Sequence, residues 1–133
     1  MLEHFDTAEV KTLSPLVTAY IGDAYFHLYV RTRLLNVTKK SSKLHDLSAK
    51  IVSAVAQAEA YKKIEMQLTD DEREIFRRGR NAKSHAPRSA TVEEYHFSTG
   101  FENLLGELFL RKNFSRLDEI CELAFNAVQK TEQ

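Results

Sequence analysis

Ser14-Pro15-Leu16-Val17-Thr18-Ala19-Tyr20-Ile21-Gly22-Asp23-Ala24 opens the first long helical pattern of the chain. A serine hydroxyl can accept from the unpaired amides of a helix start, and proline suits the first helical position because its missing N–H has no partner there. The pattern runs to about Arg33. At about 100° per residue, Leu16, Tyr20, Ala24 and Val30 share a face, which Val17, Ile21 and Leu28 widen. Asp23 falls roughly 20° from both Leu16 and Val30, inside that apolar arc. A carboxylate in such a place is costly unless a cation or hydrogen-bond donors compensate it.

A second acid repeats the pattern. In Ser98-Thr99-Gly100-Phe101-Glu102-Asn103-Leu104-Leu105-Gly106, the apolar stripe is Phe101, Leu104, Leu105, Leu108 and Phe109. Glu102 lies at the edge of that stripe, roughly 20° from Phe109, whereas Glu107 points to the opposite, polar side. Periodicity therefore favours Glu102 over Glu107 as the acid with a chemical role. Gly22 and Gly106 flank the two acids and would let a backbone or a ligand approach closely. Two carboxylates on different helices suit a shared hard cation such as Mg²⁺, held through oxygen ligands and waters. Plainer readings stand beside this one. Asp23 could cap a neighbouring helix or pair with a base such as Arg31. Thr99 and Glu102 have the spacing of a capping box, in which the glutamate reaches back to the threonine amide.

The remaining pattern is helical throughout. A length of 133 residues with 4 glycines and 2 prolines favours one all-α domain over 1–133. A short helix is expected over Ala8 to Leu13, and Asn36 to Ser42 is a polar connection. A helix over about Lys43 to Ile64 should turn Leu44, Leu47, Ile51, Val55 and Ala58 inward. Thr69-Asp70-Asp71-Glu72 starts another that ends near Arg80. Residues 81–90 read as a loop. Thr91-Val92-Glu93-Glu94 restarts a helix that continues to Arg111, with a break near Gly100. Ser115 caps a last helix ending near Gln129. No apolar run approaches the ~20 residues of a membrane span, and no secretory leader is visible at Met1-Leu2-Glu3-His4-Phe5-Asp6. The lone Cys121, among Ile120, Leu123 and Ala124, reads as a small core residue. A cytoplasmic protein without a membrane partner is expected.

Lys plus Arg equals Asp plus Glu at 19 each, so overall charge carries no argument for nucleic acid. Local clustering does. Arg77-Arg78-Gly79-Arg80-Asn81-Ala82-Lys83, extended by His85 and Arg88, puts five Lys and Arg residues within twelve positions. Arginines at a helix end also complement its dipole, but that does not account for Lys83 and Arg88 in the loop. Phosphate contacts from Arg77, Arg78, Arg80, Asn81, Lys83 and Arg88 are the functional reading. Lys39, Lys40 and Lys43 form a smaller cluster that suits a solvated loop. His27, one turn after Asp23, could contact the same site, although His27, His45 and His96 read first as packing residues. No zinc spacing, nucleophile elbow or phosphate-binding glycine loop is present.

Three pieces, Ala19-Tyr20-Ile21-Gly22-Asp23-Ala24, Arg77 to Lys83 and Ser98 to Gly106, occur in the order found in the ribonuclease III endonuclease domain. The chain most closely resembles the mini-ribonuclease III family, from about Ser14 to Leu123. The resemblance implies an all-α homodimeric helical bundle that cuts double-stranded RNA with Mg²⁺. Asp23 and Glu102 match its metal-binding catalytic acids, and Tyr20 matches a dimer-interface position. The implied substrate is precursor ribosomal RNA, notably that of the large (23S) subunit. No separate double-stranded RNA-binding domain is expected, so the grip would come from the dimer, or from a ribosomal protein or pre-ribosomal particle that presents the RNA. Larger relatives carry two more acids, where this chain has Ala19 and Thr99. One Mg²⁺ held through several waters is the expectation that follows. A non-catalytic RNA-binding or ribosome-assembly module on the same fold is the rival, and a helical interaction protein whose acids are caps is a second.

Overall fold

The computed structural model describes residues 2–3, 5–82 and 91–132, with side chains described through 129. Lys83, His85 and Arg88, and most of the loop expected over 81–90, lie outside the described residues. The helices are α1 (Thr7–Thr12), α2 (Pro15–Leu34), α3 (Ser41–Val52), α4 (Ala54–Ile64), α5 (Asp70–Arg80), α6 (Val92–Leu110) and α7 (Phe114–Glu132), with a 3-10 turn at Glu65–Gln67. No strand occurs among the described residues, as the periodicity implied.

The helix starts follow the capping residues. The Ser14 hydroxyl accepts from the Leu16 amide at 3.2 Å, and Pro15 takes the first helical position. Thr69 with Glu72 and Thr91 with Glu94 form complete capping boxes. At the α6–α7 turn the Asn113 amide donates to the Leu108 carbonyl at 2.9 Å and the Lys112 amide to that of Phe109 at 3.0 Å, with Lys112 left-handed at φ 62°. These two hydrogen bonds satisfy carbonyls that a helix end leaves open.

α6 is the central helix, packed by α2, α4, α5 and α7. Phe101, Leu104 and Leu105 on it are fully buried, together with Phe26, Tyr61, Leu117 and Ile120 from the surrounding helices. Each such side chain contributes roughly 1.5–3 kcal/mol of burial. Phe26 meets Phe101 edge to face at 5.3 Å, and Tyr61 stacks on Phe76. Cys121 is a buried core residue, as expected, and burial pushes its thiol pKa up.

Glycines let α6 sit this close to its neighbours. A Cβ on Gly22 would come 1.8 Å from the Glu102 carbonyl oxygen, and one on Gly106 would come 1.9 Å from that of Thr18. No side chain larger than hydrogen fits, so α2 and α6 touch backbone to backbone where each carries its acid. Gly79 and Gly100 do the same for α5 and α6: a Cβ on Gly79 would lie 2.8 Å from the Gly100 Cα.

Four expectations are corrected. First, α2 does not bury the face that periodicity selects. Thr18, Ala19, Gly22, Phe26, Val30 and Leu34 are buried, while Leu16, Val17, Tyr20, Ala24 and Leu28 are exposed. Apolar residues surround this helix, and close contact with α6 selects the side carrying the small ones. Second, the helix expected over Lys43–Ile64 is two helices. Ser53, at φ −62° and ψ 156°, ends α3, and its hydroxyl accepts from the Ala56 amide to start α4. The inward register shifts there, which exposes Val55 and buries Gln57, Ala60, Tyr61 and Ile64. Third, α6 is unbroken at Gly100, because that glycine serves contact with Phe76 rather than a turn. Fourth, the last helix starts at Phe114, one residue before its expected cap.

Candidate active site

Asp23 on α2 and Glu102 on α6 face each other across the glycine contact. The two carboxyl groups are within hydrogen-bonding reach, and both line a cavity of about 380 Å³. Leu16, Ala19 and Tyr20 of α2, Val52 of α3, Ala54 and Gln57 of α4 and Tyr95, Ser98 and Thr99 of α6 complete its wall. Asp23 sits at the mouth, with about half of its side chain exposed, so it is less buried than its helical position suggested. It pairs with His27 one turn later, Nε2 to Oδ1 at 3.1 Å, rather than with a base such as Arg31. Glu102 is set deeper. Its Oε2 accepts from Gln57 Nε2 at 3.3 Å.

The capping reading of Glu102 fails. The Thr99 hydroxyl donates to the Tyr95 carbonyl at 3.0 Å inside a continuous helix, so no helix starts there for Glu102 to cap. Burial, followed by the hydrogen bond and like charge of Asp23, pushes the Glu102 carboxyl up to about 9; the Gln57 donor opposes the shift. Two adjacent carboxyl groups cannot both ionise cheaply without a cation. This all-oxygen pair fits a hard divalent ion such as Mg²⁺. Among the described residues no group of three His, Cys, Asp or Glu side chains gathers into a metal site, so such an ion would complete its shell with water and substrate oxygens. Ala19 and Thr99, both buried, stand where further acids would be needed for a richer site.

Glu107 behaves otherwise. It is on the opposite side of α6 from Glu102 but is buried rather than solvated, at 4% exposure. Arg111 pairs with its Oε1, and Arg78 of α5 reaches its Oε2 at 3.3 Å.

The basic segment ends α5 against the side of α6 that carries Glu107: Gly79 sits against Gly100 and Asn103, and Arg78 reaches Glu107. Arg77, Arg78 and Asn81 are exposed and Arg80 is half-buried. Arg77 pairs with Glu74, Arg78 with Glu107, and Arg80 lies over the Phe76 ring. His96 Nδ1 lies 2.9 Å from the Arg80 carbonyl oxygen, tying this end to α6. Tyr20 is 76% exposed beside the cavity. Phe26 is fully buried, and Tyr25 and Tyr29 are half-buried; the outward apolar residues are Leu16, Val17, Tyr20 and Leu28.

Sequence reasoning missed Gln57. The signal available was a glutamine among alanines on a helix whose start at Ser53 turns it inward.

Comparison with known proteins identifies the family and its fold. Residues 16–113 match the ribonuclease III domain family. A mini-ribonuclease 3 from a Thermoanaerobacter species is 45% identical over 125 residues, covering 91% of this chain and 87% of that protein. The mini-ribonuclease 3 of Staphylococcus aureus is 43% identical over 125 residues, covering 91% and 93%. A crystal structure of a Fusobacterium nucleatum protein superposes with a TM-score of 0.79 at 31% identity, covering 93% of this chain and 98% of that one. With the acid pair, the glycine contact and the basic helix end in the same frame, the chain belongs to the ribonuclease III domain family, among the mini-ribonuclease 3 proteins.

Proposed function

We propose that this protein is a Mg²⁺-dependent nuclease whose Asp23 and Glu102 hold the metal and carry the catalysis. The family makes it an endoribonuclease acting on double-stranded RNA. The observation that carries the site assignment is the Asp23–Glu102 pair itself, two carboxyl groups in one cavity with no cationic side chain among the described residues neutralising Glu102. Bound there, Mg²⁺ would lower the pKa of a water and polarise the scissile phosphate. Asp23 and Glu102 supply the anionic oxygens, and His27 and Gln57 hold those carboxylates in place. Arg77, Arg78, Arg80 and Asn81, with Lys83 and Arg88 beyond the described residues, orient the duplex through phosphate and 2′-hydroxyl contacts. An A-form helix is read mainly by shape and 2′-hydroxyls, so sequence preference is modest.

The protein works as a single catalytic domain and as a homodimer. The exposed apolar residues Leu16, Val17, Tyr20 and Leu28 support a partner surface on α2. One site per subunit would cut each strand of the duplex. Precursor RNA of the large ribosomal subunit is the substrate, with the duplex presented by a ribosomal protein or pre-ribosomal particle. No described helix is long and apolar enough to cross a membrane; the proposed place of work is the cytoplasm.

The test is a cleavage assay on a labelled RNA duplex, with a single strand as control, with and without Mg²⁺. Cutting restricted to duplex and to Mg²⁺, and lost in Asp23→Asn and Glu102→Gln, is the expected result. Duplex bound but uncut by the wild type at saturating Mg²⁺ or Mn²⁺ would make this a non-catalytic RNA-binding module.

A further inference from the structure

Resting on that metal-nuclease reading, we infer that Gln57 is a positioning residue: its side-chain amide fixes the Glu102 carboxylate against the α3–α4 elbow and thereby sets the site's hold on the divalent cation. Gln57 is 1% exposed, so its amide is committed to protein partners. Nε2 donates to the Val52 carbonyl at 2.9 Å and to Glu102 Oε2 at 3.3 Å. The Val52 carbonyl is available because α3 ends at Ser53, and a helix end leaves its last carbonyls without helical partners. The Val52 carbonyl can only accept, so the NH₂ end of the amide faces it and Glu102 Oε2 beside it.

The other end bears the consequence. Gln57 Oε1 is buried with no hydrogen-bond partner among the described residues. An unmade hydrogen bond inside a protein is a cost, and here it accompanies a donor aimed at the deeper acid. The chemistry of that donor also matters. Glu107 on the same helix is held by Arg78 and Arg111, which cancel its charge. Gln57 is neutral, so it orients Glu102 without competing with a cation. Partners of this kind around a metal site tune affinity through the ligand they hold.

Gln57→Met keeps length and approximate volume while deleting the donor. Gln57→Asn keeps the amide but is too short to reach both acceptors. Two titrations read the effect: Mg²⁺ against cleavage of an RNA duplex, and Mn²⁺ against melting temperature with no RNA present. The half-saturating metal concentration should rise about 10–100-fold in both titrations. The kcat at saturating Mg²⁺ should return close to the wild-type value, and the metal-free melting temperature should move little. Folded variants with wild-type metal dependence would overturn the proposal. If Gln57→Met does not fold, Gln57→Asn decides by the same titrations; failure of both to fold would make Gln57 a packing residue and overturn it too. A wild type whose melting and cutting both ignore metal would instead remove the metal site itself, and that result is distinguishable because the variants are not needed to see it.

Discussion

Glu102 and Glu107 stand five residues apart on α6, both drawn into the protein, and the molecule treats them in opposite ways. Glu107 meets two arginines, Arg78 from α5 and Arg111 from the helix end. Glu102 meets a second acid and one neutral donor, and its carboxyl is pushed up to about 9. The first arrangement is complete as it stands. The second is unfavourable with both groups ionised and becomes favourable when a cation arrives. An acid that the fold neutralises serves the structure; an acid that the fold leaves opposed by a like charge is kept for something outside it.

Breaking each acid separately tests that contrast, and the largest effect is expected in catalysis. Asp23→Asn or Glu102→Gln should lower the cleavage rate on the order of a thousandfold, corresponding to several kcal/mol of lost charge stabilisation. Neither should lower the metal-free melting temperature. A melting temperature that falls while cutting persists would reverse the roles assigned to the two regions.

The geometry beneath the pair comes next. Gly22→Ala places a methyl group 1.8 Å from the Glu102 carbonyl oxygen, a backbone atom that cannot swing aside. Overpacking typically costs about 1–3 kcal/mol, and with backbone on both sides at least about 3 kcal/mol is expected. Calorimetry should show a melting temperature lower by on the order of 10 °C, with cleavage lost because the acids part.

Glu107→Gln should do the reverse of Glu102→Gln. Breaking a buried ion pair costs about 3–5 kcal/mol when both partners are desolvated. Arg78 is 46% exposed and Arg111 is 23% exposed, so a loss of about 2 kcal/mol is expected by urea denaturation, with the metal dependence of cutting unchanged.

The smallest effect sharpens the comparison through pH. The folded, metal-free protein keeps a proton on Glu102 up to about 9, whereas the unfolded chain releases it near 4.5. Between those values the native state binds more protons, so its stability falls as pH rises. Melting temperature measured in a chelator should decline across that window more steeply for wild type than for Glu102→Gln. Added Mg²⁺ should offset the decline most at the alkaline end. Parallel curves for the two proteins would remove Glu102 as the titrating group.

Much of this was legible in the residues. Capping residues at Ser14, Thr69 and Thr91 mark helix starts because an N-cap is a local interaction, satisfied within four residues of itself. The stripe of α6 was legible because one helix carries enough apolar residues to show its period. Asp23 and Glu102 stood out as acids out of place beside glycines. The inward face of α2 was not legible, since Leu16, Val17, Tyr20 and Leu28 make the opposite side more apolar than the buried one. The break at Ser53 was hidden by a serine that sits as comfortably inside a helix as at its cap.

The sequence by itself determined an all-helical chain, the caps at Ser14, Thr69 and Thr91 and the two acids, because these depend on neighbours a few residues away. Tertiary structure alone decided which side of α2 meets α6, that Gly22 and Gly106 bring Asp23 and Glu102 together, that Arg78 belongs partly to Glu107, and that Gln57 turns its amide to Glu102. Those outcomes depend on backbones that meet from distant parts of the chain, and a periodic pattern along one helix carries no record of what packs against it.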